Sequence, residues 1–161
     1  MTNPTCLSRQ SRALITDVIW LLRHGDAEDG EGTEDAAREL TDKGRRQADW
    51  AGRALAALGE SIDACLTSPK IRALDTARIA CEYLGLEPET EDELARGGFD
   101  LASVSEGRGN VLLVGHEPDF STVIGDATGA RVKLKKGGLA GLQDGVLLVL
   151  ARPADLKRIA G

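Results

Sequence analysis

Two short stretches carry side chains fit for chemistry: LLRHGDAEDG, residues 21–30, and VLLVGHEP, residues 111–118. Each runs from apolar residues into a histidine, and His24 and His116 are the only 2 histidines in the chain. Imidazole can act as nucleophile, base, acid or metal ligand, so the neighbours have to narrow the choice. Arg23 directly precedes His24, and Arg72 falls in the first turns of a helix announced by Ser68 and Pro69. Guanidinium forks match phosphoryl oxygens through paired, charge-assisted hydrogen bonds, and the free N–H groups of a helix start also favour an anion. Two arginines and two histidines gathered in one place would repel one another until an anion entered. The same repulsion works against a metal dication, although Asp26 and Glu117 keep a metal site open as an alternative.

These residues can meet only if the elements around them deliver them to one place. VIWLL (18–22) and VLLVG (111–115) read as strands covered on both faces, IDACLT (62–67) as a third strand and VLLVL (146–150) as a last one. In open α/β sheets ligands collect beyond the carboxyl ends of the strands, and both histidines sit just past such an end. Thr41 is a helix cap with Asp42 in the first turn, and Ala48, Ala51, Leu55 and Leu58 follow at helical spacing up to Gly59. Ser68 and Pro69 read as N-cap and first residue of the next helix, whose buried stripe is Leu74, Ala77, Cys81 and Leu84. Pro118 opens a helix running toward Ala127.

Between these elements the pattern is weaker. A short strand near Thr90–Leu94 and a turn of helix around Leu101–Val104 are the only elements that 86–109 suggests, and its low apolar content offers little from which to build a lid. Residues 131–135 alternate as a strand would before the Gly137-Gly138 turn, and Lys133, Lys135 and Lys136 read as its solvated face. The acidic run Glu28–Asp35 reads as a solvated loop; at the border of a site it would disfavour strongly anionic substrates. Strands alternating with helices imply a mostly parallel sheet covered on both faces, with antiparallel pairing toward the C-terminus.

The totals fit this picture. A chain of 161 residues, 42% apolar, predicts one domain over 18–161 behind a flexible leader, 1–17. A net charge of −6 speaks against nucleic acid as a partner, and no apolar stretch has the length to cross a membrane. Three cysteines, Cys6, Cys65 and Cys81, without a CxxC pair suit reduced thiols and the cytoplasm.

Taken in order, Leu22-Arg23-His24-Gly25-Asp26-Ala27, Leu40-Thr41-Asp42-Lys43-Gly44, Gln47-Ala48, Thr67-Ser68-Pro69 with Arg72-Ala73 and Thr76-Ala77, and Val114-Gly115-His116-Glu117-Pro118 form a specific series. Across residues 18 to 150 the chain resembles the histidine phosphatase superfamily, and within it the small phosphohistidine phosphatases of the SixA type.

The resemblance implies a phosphoglycerate mutase-like three-layer α/β/α sandwich and a covalent, metal-independent reaction that needs no cofactor. His24 matches the nucleophile, which takes the phosphoryl group on its distal nitrogen while the other nitrogen donates to a backbone carbonyl. Arg23 and Arg72 match the phosphate clamps, and His116 the second histidine on the same oxygens. Gly25 is expected to leave room for the phosphate. Asp26 is the first choice for handling a proton, with Glu93, Glu117 or no dedicated acid at all as the alternatives. The implied substrate is phosphohistidine on a histidine phosphotransfer or signalling protein, and the product is inorganic phosphate. A broad small-molecule phosphomonoesterase and a non-catalytic phosphoprotein-binding module are the competing expectations.

Overall fold

The structure, a computed structural model, describes residues 17–161. The expected leader, and Cys6 with it, lies outside the described residues except for Asp17. Among the described residues six strands form one sheet in the order β3-β2-β4-β1-β5-β6. In chain order these are β1 (Ile19–Arg23), β2 (Ala64–Thr67), β3 (Glu89–Thr90), β4 (Val111–Gly115), β5 (Leu139–Gln143) and β6 (Val146–Ala151). β3, β2, β4 and β1 pair in parallel, whereas β5 pairs antiparallel with both β1 and β6.

Among the described residues six α-helices cover the sheet: α1 (Asp42–Ala57), α2 (Ile71–Glu82), α3 (Glu93–Arg96), α4 (Leu101–Ser105), α5 (Asp119–Thr128) and α6 (Pro153–Ala160). Side chains alternate along the strands, so Trp20 and Leu22 enter one core and Leu21 the other. The first core packs β1 and β4 against α1, α2 and α6 through Ala51, Leu55, Ala77 and Leu156, and it holds Cys65 and Cys81 as buried free thiols. The second packs the opposite face against α3, α4 and α5 through Leu94, Phe99, Phe120 and Ile124. The result is a three-layer α/β/α sandwich with a mostly parallel sheet.

Four readings of the sequence change. The strand expected near Thr90–Leu94 is confined to Glu89–Thr90, and Leu94 belongs to the helix Glu93–Arg96. α2 begins at Ile71 with Lys70 at its cap, not with Ser68. The Ser68 N–H bonds to the Val114 carbonyl at 3.0 Å, which continues the sheet pairing and delays the helix. Residues 131–135 form no strand; their backbone instead supplies the Leu134 carbonyl to Arg23 Nη1 at 2.9 Å. β5 and α6 were not anticipated. A two-residue Asp144-Gly145 turn joins β5 to β6, with Asp144 at φ 49°, and the Asp155 carboxylate, accepting the Arg152 backbone N–H at 2.9 Å, caps the start of α6 just ahead of Pro153.

Candidate functional site

β2, β4 and β1 are neighbours running the same way, so their carboxyl ends reach one edge of the sheet together. Arg23 is in register with Gly115, and the next residue along each of these strands is a histidine. The His24 N–H donates to the Gly115 carbonyl at 3.0 Å, locking the two chain segments side by side. The imidazole centroids of His24 and His116 lie 5.2 Å apart, with the rings tilted by 55°. Both are buried, with 6% and 7% of their surface exposed.

Each ring is held in a defined protonation state. His24 Nδ1 lies 2.7 Å from the Gly25 carbonyl, which can only accept, so the proton sits on Nδ1 and Nε2 keeps its lone pair. Burial foremost, reinforced by Arg72, Arg23 and Lys136 against the opposing pull of that carbonyl, lowers the His24 pKa to about 4. Burial also dominates at His116, and with His24, Arg72 and Lys70 nearby its pKa falls to about 3 despite Asp35. Both imidazoles are therefore neutral at pH 7.

Ser68 decides which nitrogen of His116 carries the proton. Its Oγ lies 2.8 Å from His116 Nε2 and accepts the Lys70 N–H at 3.2 Å. Among the described residues His116 Nε2 is the one acceptor in reach of the hydroxyl proton, so that proton turns to Nε2 and the ring proton resides on Nδ1. His116 Nδ1 is buried with no hydrogen-bond partner, as are Arg23 Nε and Arg72 Nε. An unpaired buried donor costs about 1–3 kcal/mol, so three of them on neighbouring residues mark a place where the oxygens of an anion would offset that cost.

The arginines are steered from different directions. Arg23 Nη1 donates to the Leu134 carbonyl at 2.9 Å. Arg72, with only 6% of its surface exposed, donates from Nη1 to the Asp35 carbonyl at 2.7 Å and from Nη2 to Asp35 Oδ2 at 3.2 Å. Thr76, one turn further along α2, donates to the Arg72 carbonyl at 2.7 Å and accepts the Gly25 N–H at 3.1 Å. The Gly25 amide is thus committed elsewhere. Its missing side chain serves packing instead, since a Cβ there would stand 2.4 Å from the Gly44 carbonyl oxygen in the first turn of α1.

The carboxylates considered for proton transfer are all occupied. Asp26 Oδ2 accepts from the Thr41 hydroxyl at 2.9 Å and Oδ1 faces the Lys136 ammonium at 3.3 Å. Burial raises the Asp26 pKa, but Thr41 and Lys136 outweigh it and hold the carboxyl below its ordinary value, the opposite of what a proton donor needs. Glu117 accepts from the backbone and hydroxyl of Ser121, and Glu93 pairs with Arg96 on α3 at 3.5 Å. Among the described residues no three His, Cys, Asp or Glu side chains gather to hold a metal ion. A cavity of about 910 Å³ opens elsewhere, beside Asp17, Ile19, Phe99 and Asp144, and none of the residues around the histidines lines it.

Lys70 and Asp35 belong to the site and were not singled out from the sequence. Asp35 was hidden in an acidic run read as solvated, yet it meets Lys70, Arg72 and Arg38 at 3.0, 3.2 and 3.2 Å. No local pattern marks it, because its position depends on how the loop folds back.

Known proteins resemble this chain in sequence and in fold. The pattern described as "Histidine phosphatase superfamily (branch 1)" matches residues 19–100. The phosphohistidine phosphatase SixA homolog of Haemophilus influenzae is 32% identical over 129 residues, covering 70% of this chain and 78% of that protein. The mitochondrial serine/threonine-protein phosphatase Pgam5 of Drosophila yakuba is 38% identical over 71 residues, 44% of this chain but only 24% of that protein. A solved structure of the protein histidine phosphatase SixA complexed with tungstate superposes with a TM-score of 0.75 at 25% identity, over 87% of this chain and 99% of that one. With family pattern, relatives and fold in agreement, the chain belongs to the histidine phosphatase superfamily and is a hydrolase of that kind.

Proposed function

We propose that this chain is a metal-independent phosphohistidine phosphatase acting on a phosphorylated histidine phosphotransfer or signalling protein through a phosphohistidine intermediate on His24. The observation that carries the reading is a neutral His24, its Nδ1 proton given to Gly25, beside three buried donors without partners. In the first step the Nε2 lone pair forms a bond to phosphorus while the bond to the leaving nitrogen breaks. Arg23, Arg72 and His116 Nδ1–H hold the equatorial oxygens as charge shifts, and being preorganised they need little rearrangement. Water then attacks phosphorus, the His24–phosphorus bond breaks with its electron pair returning to Nε2, and inorganic phosphate leaves.

The carboxylates favour this leaving group over an alkoxide. An imidazole is protonated near neutral pH and departs without a dedicated acid, whereas serine or sugar oxygen needs one. Asp26, Glu117 and Glu93 are each tied to other partners. The tungstate bound by the structurally similar SixA suits an oxyanion hollow here, and the Haemophilus relative's description supports the same substrate class. The reaction is assigned to one domain spanning 18–161. Among the described residues no helix is long and apolar enough to cross a membrane, and Cys65 and Cys81 suit a reducing compartment, so the cytoplasm is where the substrate would be met.

The test is a substrate panel in chelator, comparing a phosphohistidine protein with aryl and sugar phosphates. Fastest turnover of the phosphohistidine protein, with acid-labile label trapped on His24 and none on His24→Ala, is the expected result. Much faster hydrolysis of a sugar phosphate would transfer the assignment to a small-molecule phosphomonoesterase. Binding without label or turnover would reduce the chain to a phosphoprotein-binding module.

A further inference from the structure

The loop 28–39 leaves the sheet edge at the Ala27–Leu40 bridge and is closed at its base by the Glu28 N–H to the Glu39 carbonyl, 2.8 Å. Arg38 braces it from within, donating from Nε to the Glu28 carbonyl at 2.9 Å and from Nη1 to Asp35 Oδ1 at 3.2 Å. A short 3-10 turn, Asp35–Ala37, therefore presents Asp35 to α2 from a braced support. There the Asp35 carbonyl takes Arg72 Nη1 and its Oδ2 takes Arg72 Nη2.

A guanidinium has two usable edges. The end formed by Nη1 and Nη2 is the one Asp35 holds. The side formed by Nε and the remaining Nη2 hydrogen is untouched, and Arg72 Nε is buried without a partner. A carboxylate merely standing in for the substrate would occupy that open side. Asp35 does not, and its side chain stays 56% exposed.

We propose that Asp35 is a positioning residue for phosphoryl transfer: by gripping the far end of Arg72 it aims the Nε–Nη2 edge at the phosphoryl oxygens, and by pairing with Lys70 and Arg38 it keeps their charge from drawing the anion off line. This rests on the phosphatase reading and deepens it. The Lys70 ammonium foremost, with Arg38 and Arg72, holds the Asp35 carboxyl well below the usual carboxylate range, so it is ionised wherever the protein works. The consequence is a division between binding and chemistry. Without Asp35 the cations attract phosphate more strongly but hold it less well aligned.

Asp35→Ala and Asp35→Asn, with an aryl phosphate and a phosphohistidine protein as substrates and inorganic phosphate as inhibitor, separate these effects. Asp35→Ala is expected to lower kcat by about tenfold or more, the scale of a small misalignment, while phosphate inhibits more tightly. Asp35→Asn keeps an oxygen for Nη2 and should retain most of kcat, yet show the same tighter inhibition. A rise in kcat/KM for Asp35→Ala would make Asp35 a competitor of the substrate and overturn the proposal. So would unchanged kcat, or a kcat loss with phosphate inhibition unchanged or weakened, which marks general damage. Wild-type protein that neither turns over nor binds phosphate would sink the phosphatase reading and this inference with it; an active wild type confines any failure to Asp35.

Discussion

A neutral imidazole carries one proton on either of two nitrogens, and His116 is useful as a donor only if that proton sits on Nδ1. Ser68 imposes the choice across 48 residues of sequence, through a 2.8 Å contact between buried groups. Replacing Ser68 by Ala frees the ring to adopt the other tautomer and leaves Nδ1 an acceptor facing an anion. Turnover, as kcat/KM, should fall about tenfold, or ~1.4 kcal/mol of transition-state stabilisation. In a His116→Ala background the same replacement should cost almost nothing further, because its effect passes through the ring. An equal loss in both backgrounds would remove Ser68 from the site. Sequence alone marks Ser68 by its place before Pro69, which points to helix capping, and the hydroxyl's actual partner emerges only when β2 and β4 lie side by side.

At the scale of elements, the site is a meeting of strand ends with the first turns of helices, and glycines set the distances. Gly44 packs in the first turn of α1 so closely that a Cβ would stand 2.0 Å from the Asp26 carbonyl oxygen, and backbone cannot yield there. Gly44→Ala should therefore push α1 off the Arg23–Asp26 segment, costing at least about 2 kcal/mol and lowering both Tm and kcat/KM. Gly125→Ala in α5 is the control, since its Cβ would meet only the Ala130 carbonyl oxygen at an ordinary 3.5 Å, and should lower neither. Wild-type stability in Gly44→Ala would show that the helix is free to move. The strands carrying the histidines were legible because VIWLL and VLLVG are compact apolar runs with β-branched members and cover on both faces. β5, LAGLQ, was not: glycine on either side disguises it as turn, and only pairing with β1 and β6 makes it a strand. The Arg-His-Gly and Gly-His segments were legible for a related reason, because the residues to which we assign the chemistry are adjacent in sequence to the strands that aim them. Asp35, aimed by a loop, was not.

Across the whole molecule a net charge of −6 coexists with a hollow lined by cations and two neutral histidines. That combination gives folding a pH dependence of definite sign. The pKa values of His24 and His116 in the folded protein, about 4 and about 3, lie below the ordinary 6.5, so between those limits the unfolded chain binds protons that the folded chain refuses. Above pH 6.5 the pair costs nothing in this respect; as pH falls toward 4, stability should drop by an amount on the order of 3 kcal/mol per histidine at most, and by less than the sum because the rings interact. The paired Asp35 carboxylate, held below the usual carboxylate range, adds its own loss once pH falls below about 4, where the unfolded chain begins to bind that proton. Since the chain has just 2 histidines, a decline between pH 6.5 and 5 points to this pair. Phosphate, a monoanion through most of this range, entering beside Arg23 and Arg72 offsets their charge, makes histidine protonation less costly, and stabilises the fold by about 2.7 kcal/mol at a hundredfold excess over its Kd. Urea midpoints measured from pH 7 to 4, with and without phosphate, should therefore fall less steeply in its presence. A midpoint that stays flat down to pH 5 without phosphate would mean the histidines are hydrated and ordinary. In that event neither a depressed pKa at His24 nor a desolvated anion hollow could be sustained.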